Sequence, residues 1–333
     1  MLNCIPYSDY LENSEQSTTE PIIVTVPDNL SGMRLDAALS VIIPEISRSK
    51  LTNWIKSGAV LVGNKLAKPK EKMLGGETIQ ITPVLNEQNL AFTPENIPLN
   101  IIYEDDDILV INKPSGLTVH PGNGNWSGTL LNALLFHYPF LQQLPRAGIV
   151  HRLDKDTTGL MVIAKTSFAQ SNLIEQMQNR SVSRIYHAIA LGHPQKNGTI
   201  NHNIGRDPHN RIKMTTLKFG GREAITHFQV LKYFKHFSYI ECKLETGRTH
   251  QIRVHLKSIG HPLIGDKTYA NNSSSKLNYS EDINTAILQL NRQALHALKL
   301  SLIHPTSNQE ISFSTPLAQD IQYLLSVMID IDN

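Results

Sequence analysis

Residues 148–166, GIVHRLDKDTTGLMVIAKT, join a polar loop to an apolar segment. The segment LMVIAKT is typical of a short buried strand because it is apolar and follows a turn signal. That signal is the tetrad DTTG at 156–159, in which Asp, Thr and Gly all favour turns. Asp154 is therefore not required as a cap of the turn, and the strand would hold its loop rigidly against a sheet. Reacting groups are often carried by loops on a rigid scaffold, so Asp154 is the first candidate for chemistry.

Length and composition describe a folded protein with more than one domain. At roughly 150 residues per domain, the 333 residues predict two units. Hydrophobic residues make up 40% and charged residues 18%, which excludes the composition of a disordered chain. The net charge of +2 gives no argument for a polyanionic partner, so any nucleic-acid surface must be a local patch.

The cellular compartment follows from the cysteines and from the missing export signals. Cys4 and Cys242 are too few for a disulfide framework, which favours a reducing compartment. The N-terminal residues lack a positively charged start followed by an apolar run, and no stretch of ~18 apolar residues occurs. We expect a cytoplasmic protein with no signal peptide and no membrane partner.

Changes in composition divide the chain into four parts. Residues 1–20 carry four acids and no Lys or Arg, which predicts a disordered tail. Residues 21–83 predict a small domain. Three prolines without any period at 83–98 predict a linker at 84–98. Residues 99–333 combine several strand-length runs with helical spacing, which predicts an α+β domain with a mixed sheet.

The small domain has a local excess of positive charge. Residues 32–81 contain eight basic and four acidic residues, against a net charge of +2 for the whole chain. Leu35 and Leu39 have helical spacing, Ser47 can cap a second helix, and Gly63-Asn64 predicts a hairpin turn. A solvated surface is the alternative, but the clustering suits contacts with phosphates. The candidate RNA-binding residues are Arg34, Arg48, Lys50, Lys56, Lys68 and Lys70.

The common sequence motifs for binding a cofactor or a metal ion are missing from the sequence. The stretch HPGNGNWSGT at 120–129 lacks the ending of a phosphate loop and the spacing of a dinucleotide fingerprint. His250, His255 and His261 lack the HExxH pattern and a nearby set of carboxylates, so we expect no metal site.

Several motifs together resemble the uridine-to-pseudouridine isomerases. In that family H-R-L-D carries the catalytic aspartate, and GIVHRLDKDTTGLMVIAKT looks like this signature. NKPSGLTVHPG at 112–122, RIYHAIALG at 184–192 and LETGRTHQIRVHLKSIGHPLIGD at 244–266 match the family in order and spacing. The small domain resembles an RNA-binding domain first known from a ribosomal protein of the small subunit. The resemblance covers Gly32 to Pro316 and is strongest to the branch that acts on large-subunit ribosomal RNA.

The resemblance implies a catalytic domain with a mixed, mainly antiparallel sheet, which is preceded in the chain by a small α/β RNA-binding domain. Asp154 would be the catalytic carboxylate, already ionised because an ordinary Asp has a pKa of ~3.9. Arg253 would be its ion-pair partner. Arg152 would replace the extruded nucleotide in the RNA helix or contact the neighbouring phosphate, and Tyr186 would stack on the uracil and exchange a proton at C5. An isomerisation has no redox change, so no cofactor is implied.

Some readings stay open at this level. Arg253 can be a solvent-facing helix residue and Tyr186 a core residue, whereas we expect His151 to order the loop and Asp156 to cap the turn. The alternative function, from a different class of protein, is that of a non-catalytic RNA-binding factor in ribosome assembly. A nucleoside hydrolase would require Asp156 as a second acid. The expected enzyme is a monomer that acts on large-subunit ribosomal RNA, either free or within an assembling subunit.

Overall fold

The computed structural model describes residues 21–82, 91–122, 125–210, 212–270 and 279–332. The chain forms two compact units, residues 1–86 and 87–333. The predicted tail at 1–20 lies outside the described residues, as does the predicted linker as far as residue 90. Its described part, 91–98, belongs to the second unit, where the side-chain amide of Asn132 donates a hydrogen bond of 2.8 Å to the carbonyl of Thr93.

The first unit is a small antiparallel sheet covered by two helices. Its elements are β1 (Ile22–Thr25), α1 (Leu35–Ile42), α2 (Arg48–Lys56), β2 (Val60–Val62), β3 (Lys65–Leu66) and β4 (Thr78–Ile81), with strand order β1-β4-β2-β3. Gly63 and Asn64 both have positive φ, 53° and 64°, as a two-residue hairpin turn requires. The hydroxyl of Ser47 accepts the amide of Lys50 and caps α2. The predicted hairpin and cap are confirmed.

The second unit is built on a nine-stranded mixed sheet. The described order is β5-β6-β7-β14-β8-β13-β12-β9, with β15 paired to β14. Only β7 and β14 run parallel among these described strands, so the expected mixed, mainly antiparallel sheet is confirmed. A separate hairpin is formed by β10 and β11. The strands are β5 (Ile101–Glu104), β6 (Ile108–Lys113), β7 (Thr158–Ala164), β8 (Ser183–Leu191), β9 (Asn197–Asn201), β10 (Asn203–Arg206), β11 (Met214–Leu217), β12 (Ile225–Tyr233), β13 (Phe237–Leu244), β14 (Leu295–Ile303) and β15 (Glu310–Ser314).

Helices accompany this sheet along the chain. They are α3 (Leu130–His137), α4 (Ser167–Gln178), α5 (Gln251–Ser258), α6 (Glu281–Leu290) and α7 (Gln319–Asp332). Short 3₁₀ turns lie at Asp28–Leu30 in the first unit and at Pro139–Gln143 and Pro145–Gly148 in the second. None of the described helices has the length and apolar character needed to span a membrane.

β7 is the strand that the sequence motif predicts, and it is buried along its whole length. Its side chains alternate between two cores, with Met161 and Ile163 in one and Leu160, Val162 and Ala164 in the other. A strand covered on both faces needs a continuous apolar run instead of an alternating one. The predicted loop of Asp154 leads directly into this rigid strand.

Gly159 allows β7 to approach β14 closely. Its φ is 113°, and a Cβ at this position would lie 2.3 Å from the carbonyl oxygen of Ala297. No side chain fits at this distance, so the last residue of the DTTG tetrad must be glycine. The close approach brings the segment before β14 against the Asp154 loop.

Candidate active site

A cleft of about 1070 Å³ opens at the start of β7, where the Asp154 loop ends. The loop, β8 and the start of α5 contribute to its walls. The four residues predicted for the active site, Asp154, Arg253, Tyr186 and Arg152, all line this cleft. The structure therefore brings together side chains that lie as much as 101 positions apart in the sequence, between Arg152 and Arg253.

Asp154 is held by the guanidinium of Arg253. Nη1 of Arg253 donates a hydrogen bond of 2.9 Å to Oδ2 of Asp154, and the Asp154 side chain keeps 14% of its surface exposed. Its own carbonyl accepts the amide of Thr157 at 3.0 Å, which closes the turn after it. The carboxylate is thus fixed in direction but still reachable from the cleft.

Arg253 is itself fixed by Asp266. Its Nε and Nη2 donate to the two oxygens of Asp266 at 2.7 and 2.9 Å, and Asp266 is fully buried. Burial works against the charge of Arg253, but its hydrogen bonds to Asp266 and the charge of Asp154 raise the pKa of Arg253 above its usual value. With 6% of its surface exposed, Arg253 is not a solvent-facing helix residue.

His250 precedes α5 in a left-handed conformation with φ of 57°. Its Nδ1 lies 2.8 Å from the hydroxyl of Tyr269, and its Nε2 lies 3.9 Å from Oδ1 of Asp154. Burial lowers the pKa of His250, so the ring is neutral at neutral pH. Tyr269 also places its ring 5.0 Å from the Arg253 guanidinium. Both aromatic residues therefore support the Asp154–Arg253 pair.

Lys113 ties the Asp154 loop to the end of β6. Its fully buried ammonium donates to the carbonyls of Pro114 at 2.7 Å, Leu117 at 2.9 Å and Lys155 at 2.8 Å. Burial lowers the pKa of Lys113 to about 7, although the charges of Asp156 and Asp154 oppose that shift. The Lys113 side chain thus ties the backbone that follows β6 to the Asp154 loop.

Arg292 and Gln293 hold the loop from the β14 side. Arg292 donates to the carbonyl of Asp156 at 3.0 Å and is anchored by two hydrogen bonds of 2.6 and 2.7 Å to Asp320. The amide of Gln293 donates to the hydroxyl of Thr157 at 3.1 Å. Because β14 runs beside β7, these contacts position the Asp154 loop against the sheet.

Tyr186 lies in β8, between β13 and β14, with 5% of its surface exposed. Burial raises the pKa of its phenol, so the hydroxyl is protonated at neutral pH and can donate a hydrogen bond. His151 orders the loop as expected, because its Nε2 accepts the amide of Val162 at 3.1 Å. Burial lowers the pKa of His151 to about 3, which keeps it neutral as this acceptor.

Asp156 faces away from the main cleft. It lines a second cavity of about 210 Å³, which Asp154 also reaches. Among the described contacts, the turn is closed by the backbone of Asp154 and Thr157. Asp156 lies inside this turn, and Thr158 and Gly159 already belong to β7, so the prediction that Asp156 caps a turn at Thr157-Thr158-Gly159 is wrong.

The three histidines considered for a metal site have separate partners. His250 contacts Tyr269, His255 contacts Thr226, and His261 contacts the carbonyl of Leu191. Within the described ranges, no group of three His, Cys, Asp or Glu side chains is arranged to hold a metal ion.

The candidate RNA-binding residues of the first unit lie on or beside its helices and hairpin. Arg34 and Arg48 both contact the buried Asp36, at 2.8 and 3.2 Å. Lys50 lies over the ring of Trp54 at 5.1 Å. Lys56, Lys68 and Lys70 are exposed. Three of the six cations, Arg48, Lys50 and Lys56, lie in α2, whereas Lys68 and Lys70 follow the hairpin and Arg34 precedes α1.

Four supporting residues were not singled out from the sequence: Lys113, Asp266, Tyr269 and Arg292. His250 was considered only as a metal ligand. Lys113 and Asp266 lie within quoted motifs, NKPSG and GHPLIGD, where an isolated charged residue was an available signal. Arg292 has no such signal, because its role depends on the pairing of β7 with β14.

Two family models match the chain. The model described as RNA pseudouridylate synthase matches residues 107–258, which include Asp154, Tyr186 and Arg253. The model described as S4 domain matches residues 33–79 of the first unit.

Curated relatives and solved structures agree with these matches. The chain is 54% identical to "Ribosomal large subunit pseudouridine synthase D" of Neisseria meningitidis serogroup A over 97% of this chain and 86% of the relative. It is 49% identical to the protein of that name from Nitrosomonas europaea, over 94% and 89%. The solved structure "Human RNA Pseudouridylate Synthase Domain Containing 4" has a TM-score of 0.54 at 26% identity, over 69% of this chain and 93% of that one. The chain belongs to the RNA pseudouridylate synthase family.

Proposed function

We propose that this chain isomerises uridine to pseudouridine in large-subunit ribosomal RNA, with Asp154 as the catalytic carboxylate. The observation that carries the proposal is the position of Asp154, which lies at the cleft and is held by Arg253 at 2.9 Å. The names of the curated relatives support the substrate.

The reaction moves a carbon–nitrogen bond to carbon. The glycosidic bond between N1 and C1′ breaks, the uracil rotates, and C5 bonds to C1′. C5 then loses its proton and N1 gains one, so atoms and electrons balance without a redox partner. The uridine must leave its stack to reach the cleft, at a cost of a few kcal/mol.

The geometry distinguishes the two oxygens of Asp154. Oδ2 accepts the hydrogen bond of Arg253, whereas Oδ1 lies 3.9 Å from Nε2 of His250. We assign Oδ1 as the reacting oxygen, acting as nucleophile or base. Arg253 keeps the carboxylate oriented through this hydrogen bond.

Tyr186 would contact the flipped uracil from β8. Its raised pKa makes it a hydrogen-bond donor in the resting enzyme, so it suits a uracil oxygen or the later transfer of a proton. Arg152, exposed on the same loop, would contact the RNA around the vacated position.

The S4 unit would dock the enzyme on RNA through Arg34, Arg48, Lys50, Lys56, Lys68 and Lys70. Such contacts with phosphates carry affinity and little sequence information. The active species would be a monomer.

Tritium release tests this function. Large-subunit ribosomal RNA labelled with tritium at C5 of uridine is prepared from cells that lack the enzyme, then incubated with the purified protein. Isomerisation replaces the C5–H bond, so tritium must enter the water. Tight binding without release, on free RNA and on isolated subunits, would instead favour a ribosome-assembly factor.

A further inference from the structure

Several arginines line the cleft, and they differ in whether the protein holds the guanidinium. Four of them donate to acceptors in the protein. Arg180 donates to Glu223 and Glu245, and Arg184 donates to the carbonyl of Glu245. Arg248 donates to the carbonyl of Glu223, and Arg253 donates to Asp154 and Asp266. By contrast, the guanidiniums of Arg146 and Arg152 have no acceptor in the described parts of the chain. Both side chains are exposed at the cleft. They are cations available to a ligand.

The backbone at Arg146 has an unusual conformation. Arg146, Ala147 and Gly148 have φ values of 55°, 50° and 77°, so three consecutive residues are left-handed. This conformation is unfavourable for residues with a Cβ and is kept where the surroundings impose it, often at functional sites. Glycine at 148 is required, because a Cβ would lie 1.9 Å from the carbonyl of Ala164. Ala147 is buried, and the amide of Gln170 holds the carbonyl of Pro145 at 2.8 Å.

This rigid turn fixes the point from which the Arg146 side chain extends into the cleft. An arginine is not needed for the turn itself, since glycine would adopt the same φ without strain. The position of Arg146 therefore requires an explanation other than local backbone preference.

His120 lies in the same part of the cleft. Its Nε2 is buried and has no hydrogen-bond partner among the described residues. Burial, and after it the charges of Arg152 and Arg146, lower the pKa of His120 to about 4, so the ring is neutral at neutral pH. A neutral imidazole can carry its proton on Nε2 and donate it. A buried polar group without a partner is unusual in a folded protein and calls for a ligand or a functional reason.

We propose that Arg146, Arg152 and His120 form a binding site for a backbone phosphate of the RNA strand beside the flipped uridine. The inference rests on the proposed function. A phosphate matches the donors: guanidiniums bind its oxygens through paired N–H groups, and an Nε2–H supplies a further donor. A uridine whose base reaches Asp154 necessarily brings its flanking phosphates to the cleft. Of the two roles considered for Arg152, this assigns the contact with phosphate.

Arg146→Gly separates a ligand role from a structural one. Glycine relieves the left-handed strain at position 146 and removes the guanidinium, so the variant should unfold at the same temperature as wild type or higher. Its KM for large-subunit ribosomal RNA should nevertheless rise by about tenfold, as for a lost charge-assisted hydrogen bond, with kcat changed less than about twofold. Ala147→Gly is the matched control, since it relaxes the neighbouring residue and keeps every donor. His120→Phe keeps a ring in the cavity and should also raise KM.

Binding measured on Asp154→Asn protein removes turnover from the comparison. With the same RNA as probe, adding Arg146→Gly should reduce the slope of log affinity against log salt by roughly 0.7 to 0.9. An unchanged KM and slope in Arg146→Gly, with wild type active, would overturn the phosphate site and leave the proposed function intact. Wild-type protein that releases no tritium but shows the slope change would retain the phosphate site and remove the catalytic function.

Discussion

Nη1 of Arg253 donates a hydrogen bond of 2.9 Å to Oδ2 of Asp154, and the other edge of the same guanidinium is fixed by Asp266. The carboxylate at the cleft is therefore oriented by a side chain that cannot rotate. Asp266 in turn accepts the backbone amides of Thr268 and Tyr269 at 2.9 and 3.1 Å. The orientation of Asp154 depends on residues more than 100 positions away.

Asp266→Asn should lower kcat on the order of tenfold to a hundredfold, because Arg253 loses its charged anchor and Asp154 loses its fixed direction. RNA affinity should change little, since Asp266 is buried and does not face the RNA. Steady-state tritium release gives kcat and KM, and Asp282→Asn, an exposed residue of α6, controls for the loss of one carboxylate. A kcat equal to that of wild type would show that Asp266 does not position the site.

Lys113→Met should destabilise the second unit by about 2–4 kcal/mol, because it removes the donor for three carbonyls. Methionine has a similar length and fills the space. The midpoint of urea unfolding measures stability, and kcat should fall because the carbonyl of Lys155 is released. Full activity in a destabilised variant would restrict Lys113 to stability.

Tyr186→Phe should reduce kcat while leaving the RNA dissociation constant within about twofold. Phenylalanine keeps the stacking surface and loses the hydroxyl, whose pKa is raised by burial. Single-turnover rates on pre-bound RNA separate this effect from binding. If the single-turnover rate is undiminished, Tyr186 acts only through packing and stacking.

His151 should make stability fall with acidity. Its pKa is about 3 when folded and 6.5 ordinarily, so below pH 6.5 the unfolded chain binds a proton that the folded chain excludes. Stability is therefore lost as pH falls from ~6.5 towards 3. In His151→Gln, an amide oxygen can accept the Val162 amide without titrating, so the loss between pH 7 and 5 should be smaller. Equal losses in urea unfolding would contradict a neutral, buried His151.

Much of the architecture could be predicted from local patterns. The LMVIAKT run indicated β7, Gly63-Asn64 indicated the hairpin, and the helical spacing of Leu35 and Leu39 indicated α1. Strands β9, β10, β11 and β15 are short and largely polar or exposed, so their sequences carry little strand signal. The parallel pairing of β7 with β14 joins segments more than 130 residues apart, and no local pattern indicates it.

In the candidate site, too, local motifs indicate some residues, and the role of the others depends on the fold. Asp154, Tyr186, Arg253 and Arg152 were indicated by motifs, and the structure places them around one cleft. The residues that fix them act across the fold: Arg292 reaches the loop through β14, and Lys113 reaches it from β6. The Asp156 cap was wrong because the backbone of Asp154 and Thr157 closes the turn.

The most direct test of the catalytic role of Asp154 compares it with the second aspartate of the same loop. Large-subunit ribosomal RNA from cells lacking the enzyme is incubated with wild type, Asp154→Asn or Asp156→Asn, and pseudouridines are mapped by carbodiimide labelling and primer extension. Asp154 lines the main cleft and Asp156 does not, so we expect new stops with wild type and Asp156→Asn and none with Asp154→Asn. New stops with a folded Asp154→Asn protein would contradict the account.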